Sequence, residues 1–486
     1  MVSTGCPIGL QARRDPDGLA LVAGAERRSW ASLDAEVARA AGGLKARGVC
    51  RGERVAVLAD NHSSSIVFLF ALRRLGAALV PLNTRLAPAE LRAQVDRVGA
   101  RAVLADAAHL GILAGAEPLE GWAASGPGPW SGDKSDGSAD WALLFTSGTT
   151  GHPKAARLTV GAFDALARAS AANLGARPGD RWLCNLPLFH VGGLGMAVRC
   201  AHDGATLVLQ ARFDAGAVVR DVQEQGISHL SLVARTLQQC LDAGLRGTGL
   251  RGVLVGGGPV PPALVERARA AGIPVLLTYG LTEACSQVAT ERPREADGRT
   301  AGPALPGLEV QVVDAAGRAL PPAAEGSICV RGPTLMRGYL DDPGATTAVL
   351  RDGWLHTGDI GRLDGAGRLT VLARRTDLII SGGENIYPAE LEAALSAHPA
   401  VAEVAVAGRD DAGYGQVPVA LVVLRPGAPA AGLGGWVSER LGRFKEPAEV
   451  ILVPALPRTA NGKVDRAAVW AAVRPSSAAW ESGKKS

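Results

Sequence analysis

Between Arg54 and Asp106 apolar and polar positions alternate in blocks. "RVAVLAD" reads as a strand, "SSIVFLFALRRLG" as a helix, "AALVPL" as a strand, "APAELRAQVDRVG" as a helix and "ARAVLAD" as a strand. Strands separated by helices of this length predict a parallel sheet covered on its faces. The alternation resumes after residue 155 with "ATLVLQ", "ISHLSLV", "RGVLVGGG" and "IPVLLTYG", near-continuous apolar runs of the kind buried on both faces. From about residue 305 the pattern shortens to turn-rich strands, "GLEVQVVDAAGR", "EGSICVRG" and "GRLTVLAR", a smaller β-rich region. A last unit carries a helix "PAELEAALSAHP" with Pro388 in its first turn, strands "VAEVAVAGR" and "VPVALVVLR", a helix ending "VSERLGRF", and a strand "EVILVP".

The expected class is therefore α/β: a large N-terminal domain of parallel sheets packed with helices plus a β-rich subdomain, then a small α+β C-terminal domain. The 486 residues suit roughly two to four folding units. "ASGPGPWSGDKSDGSAD" reads as a surface linker and "PSSAAWESGKKS" (475–486) as a disordered tail.

Composition narrows the function classes. A net charge of +4 over this length, with no Lys/Arg cluster beyond short pairs such as Arg13-Arg14, gives no electrostatic case for nucleic acid. The most apolar span, "SIVFLFALRRLGAALVPL", is interrupted by Arg73 and Arg74, so no transmembrane segment is expected. The seven cysteines are odd in number and never in C-x-x-C spacing, which suits reduced thiols of a cytoplasmic protein. The N-terminus lacks a charged start followed by an apolar core, so no secretory signal is expected.

The chemistry concentrates where apolar runs stop. "LLFTSGTTGHPKAARLT" (143–159) is a strand emptying into a loop of glycines and hydroxyls followed by Lys154, suited to phosphate oxygens. It is not a Walker A loop, because Ala155 rather than Ser or Thr follows the lysine. Five further stretches carry polar groups: "LVGGGPVPP" (254–262), "TYGLTEACSQ" (278–287), "GWLHTGDIGRLD" (353–364), "RRTDLIISGGENIYPAELE" (374–392) and "PRTANGKVDR" (457–466). Singly, each reads as well as a turn, a helix cap or a hairpin.

In this order and spacing the six stretches closely resemble the adenylate-forming family of acyl-CoA synthetases, adenylation domains and luciferases, over residues 10 to 470. The resemblance implies a mobile C-terminal domain, with boundaries at 1–373, a hinge at 374–377 that includes Thr376, and 378–474. It implies a carboxylic acid, ATP and coenzyme A as substrates and Mg²⁺ as cofactor. Thr146, Ser147, Gly148, Thr149, Thr150, Gly151 and Lys154 would hold the β and γ phosphates; Ala155 stands where a glycine is common. Glu283 resembles the Mg²⁺ ligand and Thr282 a phosphate donor. Gly257, Gly258 and Pro259 match the strip beside adenine, with Tyr279 on its other face. Asp359 and Arg374 match the ribose contacts, Lys463 the lysine that bridges carboxylate and α-phosphate, and Gly382 and Gly383 the lining of the pantetheine passage.

Three segments, "PLFHVGGLGM" (187–196), "YGLTEACSQ" and "RRTDLIISGGENIYPAE", resemble more specifically the branch of that family that activates 2-succinylbenzoate in menaquinone synthesis. Such an acid keeps a second, unreacting carboxylate, for which Arg199, Ser286 and Gln287 are the candidates; the residues around Arg199 favour a surface position on a helix over that role. His190 is either a gate of the acyl pocket or a helix cap. A medium-chain or aromatic acyl-CoA synthetase, and an inactive binder of acyl-adenylate or coenzyme A, are the alternatives. The sequence leaves a homo-oligomer open.

Overall fold

The structure, a computed structural model, describes residues 5–124, 130, 132, 136–146, 153–258, 260, 262–373, 379–386, 388–429, 432–458 and 464–474. The chain divides into two compact units. One comprises Met1–Thr84, Gln94–Thr146 and Ala155–Ala373; the other comprises Arg85–Ala93, Ser147–Lys154 and Arg374–Ser486. The expected hinge, with Thr376, and the expected tail lie outside the described residues.

The first unit is built on an eight-stranded sheet. From one edge its strands are Ser286–Thr290, Val275–Leu281, Gly252–Val255, His229–Leu232, Arg181–Cys184, Thr206–Leu209, Leu19–Ala23 and Glu26–Ser29. The central six pair in parallel and the two edge strands antiparallel. Its inner strands, such as "TLVL" and "GVLV", are buried along their length, which is why they read as unbroken apolar runs. The amino-terminal hairpin that closes the far edge has no counterpart in the sequence expectations, because "ERRS" carries no apolar alternation. Strand order changes direction between Arg181–Cys184 and His229–Leu232, and the crevice outside the carboxyl ends at such a switch is the usual ligand position of an open α/β sheet.

A second sheet contains Ala102–Ala105, Arg54–Leu58, Ala78–Pro81, Asp140–Thr146 and Lys154–Thr159 in that order, with Glu117–Pro118 at its edge. The helix Ser63–Leu75 is buried over almost its whole circumference, so its apolar run belongs to the protein core. Its two arginines are neutralised in place: Arg73 Nη1 meets Asp164 Oδ1 at 2.7 Å beside the Trp141 ring, and Arg74 pairs with Asp34. Among the described residues no helix is long and apolar enough to cross a membrane. An antiparallel sheet of Glu309–Val313, Gly326–Arg331, Trp354–Leu363, Leu350–Arg351 and Leu369–Ala373 forms the β-rich part.

The second unit has its own sheet, Glu384–Ile386, Ile379–Ser381, Gly415–Leu424 and Val401–Asp411, with Glu449–Leu452 pairing Gly415–Leu424 in parallel. Helices Pro388–Ser396 and Leu433–Leu441 cover one face over Ile379, Leu391, Val406, Val422 and Val437.

Candidate active site

The strand Val275–Leu281 delivers the densest group of polar side chains. It ends in a single 3-10 turn, Thr282–Ala284, closed by the Cys285 N–H on the Thr282 carbonyl at 3.0 Å. Cys285 and Ser286 then take left-handed φ values of 56° and 94° before the chain returns as Ser286–Thr290. Non-glycine residues in that region are strained and persist where the surroundings over-determine them. The return is tight: a Cβ on Gly280 would lie 1.8 Å from the Ser286 carbonyl oxygen.

This turn presents Glu283, 5% exposed, whose Oε1 accepts a hydrogen bond from the Tyr339 hydroxyl at 2.8 Å. Among the described residues Oε2 has no hydrogen bond or ion pair, and neither has the Thr282 or Ser286 hydroxyl. An uncommitted carboxylate oxygen beside an uncommitted hydroxyl is a donor set for a hard cation and a phosphate. Thr146, at the end of the strand Asp140–Thr146, likewise has a half-buried hydroxyl with no described partner. Lys154 opens the strand Lys154–Thr159.

Tyr279 is only 4% exposed, and its hydroxyl donates to Asp359 Oδ2 at 2.6 Å. Asp359 lies within the ten-residue strand Trp354–Leu363, directly after Gly358 at φ 77°, so the "TGD" segment kinks the strand rather than ending it. Gly257 takes φ 80° after the strand Gly252–Val255, and the neighbouring Gly256 is needed for a different reason. A Cβ there would meet the Thr278 carbonyl oxygen at 2.5 Å.

Arg199 is not on the surface. It sits on the helix Val191–Asp203 at 4% exposure, with Nη1 donating to Gln287 Oε1 at 2.7 Å and to Ser170 Oγ at 3.2 Å, and the guanidinium lies over the Trp182 ring. Gln287 Nε2 in turn donates to Thr290 Oγ1 at 3.0 Å, while its Oε1 accepts from both Arg199 and Ser170. Arg199 Nε is buried without a partner, and no carboxylate lies within 4.0 Å of the guanidinium among the described residues. Burial pushes the Arg199 pKa down. It pushes Asp203 up to about 7 against the pull of Arg199, and lowers His229, stacked on Trp182, to about 4. Asp203 attracts Arg199 from beyond 4.0 Å, and burial holds back part of its negative charge. Ser286 fronts this network, its Oγ 3.9 Å from the place a Cβ on Gly195 would occupy.

His190 is the N-cap residue of Val191–Asp203, but its side chain makes no capping hydrogen bond, so the cap alternative fails. The loop that carries it follows the strand Arg181–Cys184 at the switch in strand order, and it also holds Asn185. Both polar atoms of that carboxamide are buried and unpartnered, a feature without a signal in the sequence. Gly382 and Gly383, at φ 58° and 87°, form the two-residue turn between Ile379–Ser381 and Glu384–Ile386, where paired positive φ values demand glycine. Ser147, Gly148, Thr149, Thr150, Gly151, Pro259, Arg374 and Lys463 lie outside the described residues.

Comparison with known proteins bears on this arrangement. Residues 9–340 match the family model described as AMP-binding enzyme, and residues 390–463 its C-terminal domain. A 2-succinylbenzoate–CoA ligase of Bacillus licheniformis is 37% identical over 464 residues, 94% of this chain and 97% of the relative. The solved o-succinylbenzoate CoA synthetase of Bacillus subtilis, a double mutant bound to its product analogue, superposes with a TM-score of 0.90 at 35% identity, covering 95% of this chain and 98% of that one. The same enzyme in complex with ATP and magnesium ion gives 0.73 at 36% identity, covering 95% and 98%. Both domain models in their expected order, near-complete coverage of the relatives and the uncommitted oxygens at the end of Val275–Leu281 agree, and the chain belongs to the AMP-binding enzyme family.

Proposed function

We propose that the protein is an ATP-dependent, AMP-forming acid–CoA ligase that converts 2-succinylbenzoate to 2-succinylbenzoyl-CoA. In the first half-reaction a succinyl carboxylate oxygen attacks the α-phosphorus of ATP, the bond to the bridging oxygen breaks, and pyrophosphate leaves. In the second the thiolate of coenzyme A attacks the acyl carbon and AMP departs. A carboxylate is already ionised at pH 7, its reference pKa being about 4, so the site needs preorganised donors and cations rather than a general base.

The residues fit those demands. The loop Thr146–Gly151 with Lys154, and Thr282, receive the phosphates. Gly257, Gly258 and Pro259 flank the adenine. Asp359, held by Tyr279, and Arg374 take the ribose, and Lys463 bridges carboxylate and α-phosphate. Glu283 and the phosphate oxygens would hold Mg²⁺, which supplies neutralisation of the triphosphate charge; the free Oε2 of Glu283 fits that role. Gly382 and Gly383 line the path of the thiol. A cytoplasmic location accords with seven cysteines that form no disulfide.

The observation that carries the choice of acid is the buried Arg199 guanidinium with no carboxylate within 4.0 Å among the described residues. An uncompensated buried cation is costly. A substrate whose aryl carboxylate sits in front of Ser286 supplies the missing charge, whereas a fatty acyl chain leaves it uncompensated. Names of relatives and the bound product analogue of the Bacillus subtilis enzyme support the same acid.

The deciding experiment is pyrophosphate release with ATP and a panel of acids, followed by thioester formation with coenzyme A. Turnover of 2-succinylbenzoate well above octanoate and benzoate is expected. A preference for octanoate would replace this reading with a medium-chain acyl-CoA synthetase.

A further inference from the structure

Tyr339 falls outside every motif that the sequence singles out, yet it touches the central carboxylate of the site. Its hydroxyl donates to Glu283 Oε1 at 2.8 Å, and the two residues are 6% and 5% exposed. The segment around it is fixed on several sides. Met336 N–H donates to the Glu283 carbonyl at 2.8 Å, which pins the backbone of the 3-10 turn. Arg337 N–H donates to the Arg157 carbonyl at 2.8 Å, Arg157 N–H to the Gly338 carbonyl at 3.0 Å and Leu340 N–H to the Ala155 carbonyl at 2.8 Å, with Ala156 and Tyr339 bridged antiparallel. Tyr339 N–H donates to Thr346 Oγ1 at 2.9 Å, and that threonine stands where a Cβ on Gly338 would come within 2.8 Å of it. The segment 336–340 therefore straps Glu283 to the strand that follows the phosphate loop.

We infer that Tyr339 is a positioning residue for Glu283: it occupies Oε1 and so presents Oε2 as the single oxygen offered to the Mg²⁺ of bound ATP. The inference rests on Glu283 as the metal ligand. With the backbone pinned through Met336 and Cys285, side-chain torsion is the remaining freedom of the carboxylate, and the Tyr339 hydroxyl removes it. A tyrosine hydroxyl is neutral at pH 7, so it orients the carboxylate without cancelling the charge that attracts the cation. Partners that orient a metal ligand typically contribute about 10- to 100-fold in metal affinity.

The test uses Tyr339→Phe, Glu283→Gln and the double variant in the full-length protein. Mn²⁺ binding in the presence of a non-hydrolysable ATP analogue is followed by electron paramagnetic resonance. Thioester formation from supplied 2-succinylbenzoyl-adenylate, which needs no metal, is measured alongside. Tyr339→Phe is expected to weaken Mn²⁺ binding about 10- to 100-fold while leaving the thioester step unchanged, and the double variant to bind Mn²⁺ no more weakly than Glu283→Gln alone. Wild-type Mn²⁺ affinity in Tyr339→Phe beside loss in Glu283→Gln overturns the positioning role and leaves Glu283 as ligand. Wild-type affinity in Glu283→Gln removes the ligand assignment itself. Loss of the thioester step together with metal binding in Tyr339→Phe marks a purely structural residue and also overturns the inference.

Discussion

The Tyr279 hydroxyl donates to Asp359 Oδ2 at 2.6 Å, with both side chains buried, and so joins the end of the parallel sheet to the β-rich part of the first unit. The bond fixes one oxygen of the Asp359 carboxylate. Tyr279→Phe removes the donor and keeps the ring. A hydrogen bond to a charged group contributes roughly 1.5–3 kcal/mol, so if Asp359 holds the ribose the KM for ATP is expected to rise about 10- to 160-fold with kcat little changed. Steady-state kinetics with saturating acid and coenzyme A check this; a fall in kcat at constant KM would move Tyr279 from nucleotide binding to the chemical step.

How much of this site was legible depended on whether a residue's role is written in its neighbours. Glu283 and the glycine turns sit where an apolar run stops, and a polar group at a strand end is visible in one dimension, whereas Asp359 lies inside its strand and is marked only by the Gly358 before it. Tyr339 is not legible, because its partner is 56 residues away and nothing in its own turn-rich stretch points to it. Arg199 was half legible. Its residue type and helix were readable, but its burial comes from Gln287 and Trp182, which only the sheet brings against that helix. The fold followed the same rule: the buried parallel strands were readable as apolar runs, while the hairpin Leu19–Ser29 depends on pairing with Thr206–Leu209, nearly two hundred residues on.

Lys463 is the residue on which the two half-reactions should separate. It lies in "PRTANGKVDR", and if it stabilises charge that develops only during attack on the α-phosphorus, Lys463→Ala loses about two to three orders of magnitude in adenylation. Thioester formation from supplied acyl-adenylate should be spared. Rapid-quench measurement of each half-reaction gives the answer, and equal damage to both would argue against separate use of this lysine.

The ion cluster of Asp164, Arg73 and His202 predicts a pH signature. Burial alone would raise the Asp164 pKa, but hydrogen bonds from His202 at 2.8 Å and Arg73 at 2.7 Å, with their charges, bring it down to about 2 from an ordinary 3.8. A carboxylate depressed in the folded state contributes stability that is fully present above about pH 4 and is lost as pH falls towards 2, roughly 2 kcal/mol in all. Asp164→Asn is expected to be less stable than the wild type by about 3–5 kcal/mol at pH 7, with the gap narrowing below pH 3. Urea unfolding midpoints at pH 7, 4 and 2.5 test this, and a gap independent of pH would assign the loss to packing.

Substrate identity turns on Arg199. If its buried charge is balanced by the aryl carboxylate of 2-succinylbenzoate, replacing it with a side chain of similar length and no charge should change selectivity more than stability, because the cost of burying the guanidinium disappears as well. Arg199→Met keeps the helix-forming character and the contact with Trp182. It leaves Gln287 Oε1 with Ser170 as a donor, at 2.8 Å. The expected outcome is a fall in kcat/KM for 2-succinylbenzoate of about tenfold or more, since a site built to pair a polar group discriminates strongly against its loss. The analogue in which the aryl carboxylate is replaced by hydrogen should lose nothing or gain, having no anion to pair with the arginine. The ratio of the two kcat/KM values, compared between variant and wild type, is the readout that a change in overall stability leaves untouched. If both substrates fall by the same factor, Arg199 supports the helix Val191–Asp203 and the aryl carboxylate is held elsewhere, with the free Ser286 hydroxyl as the next residue to replace.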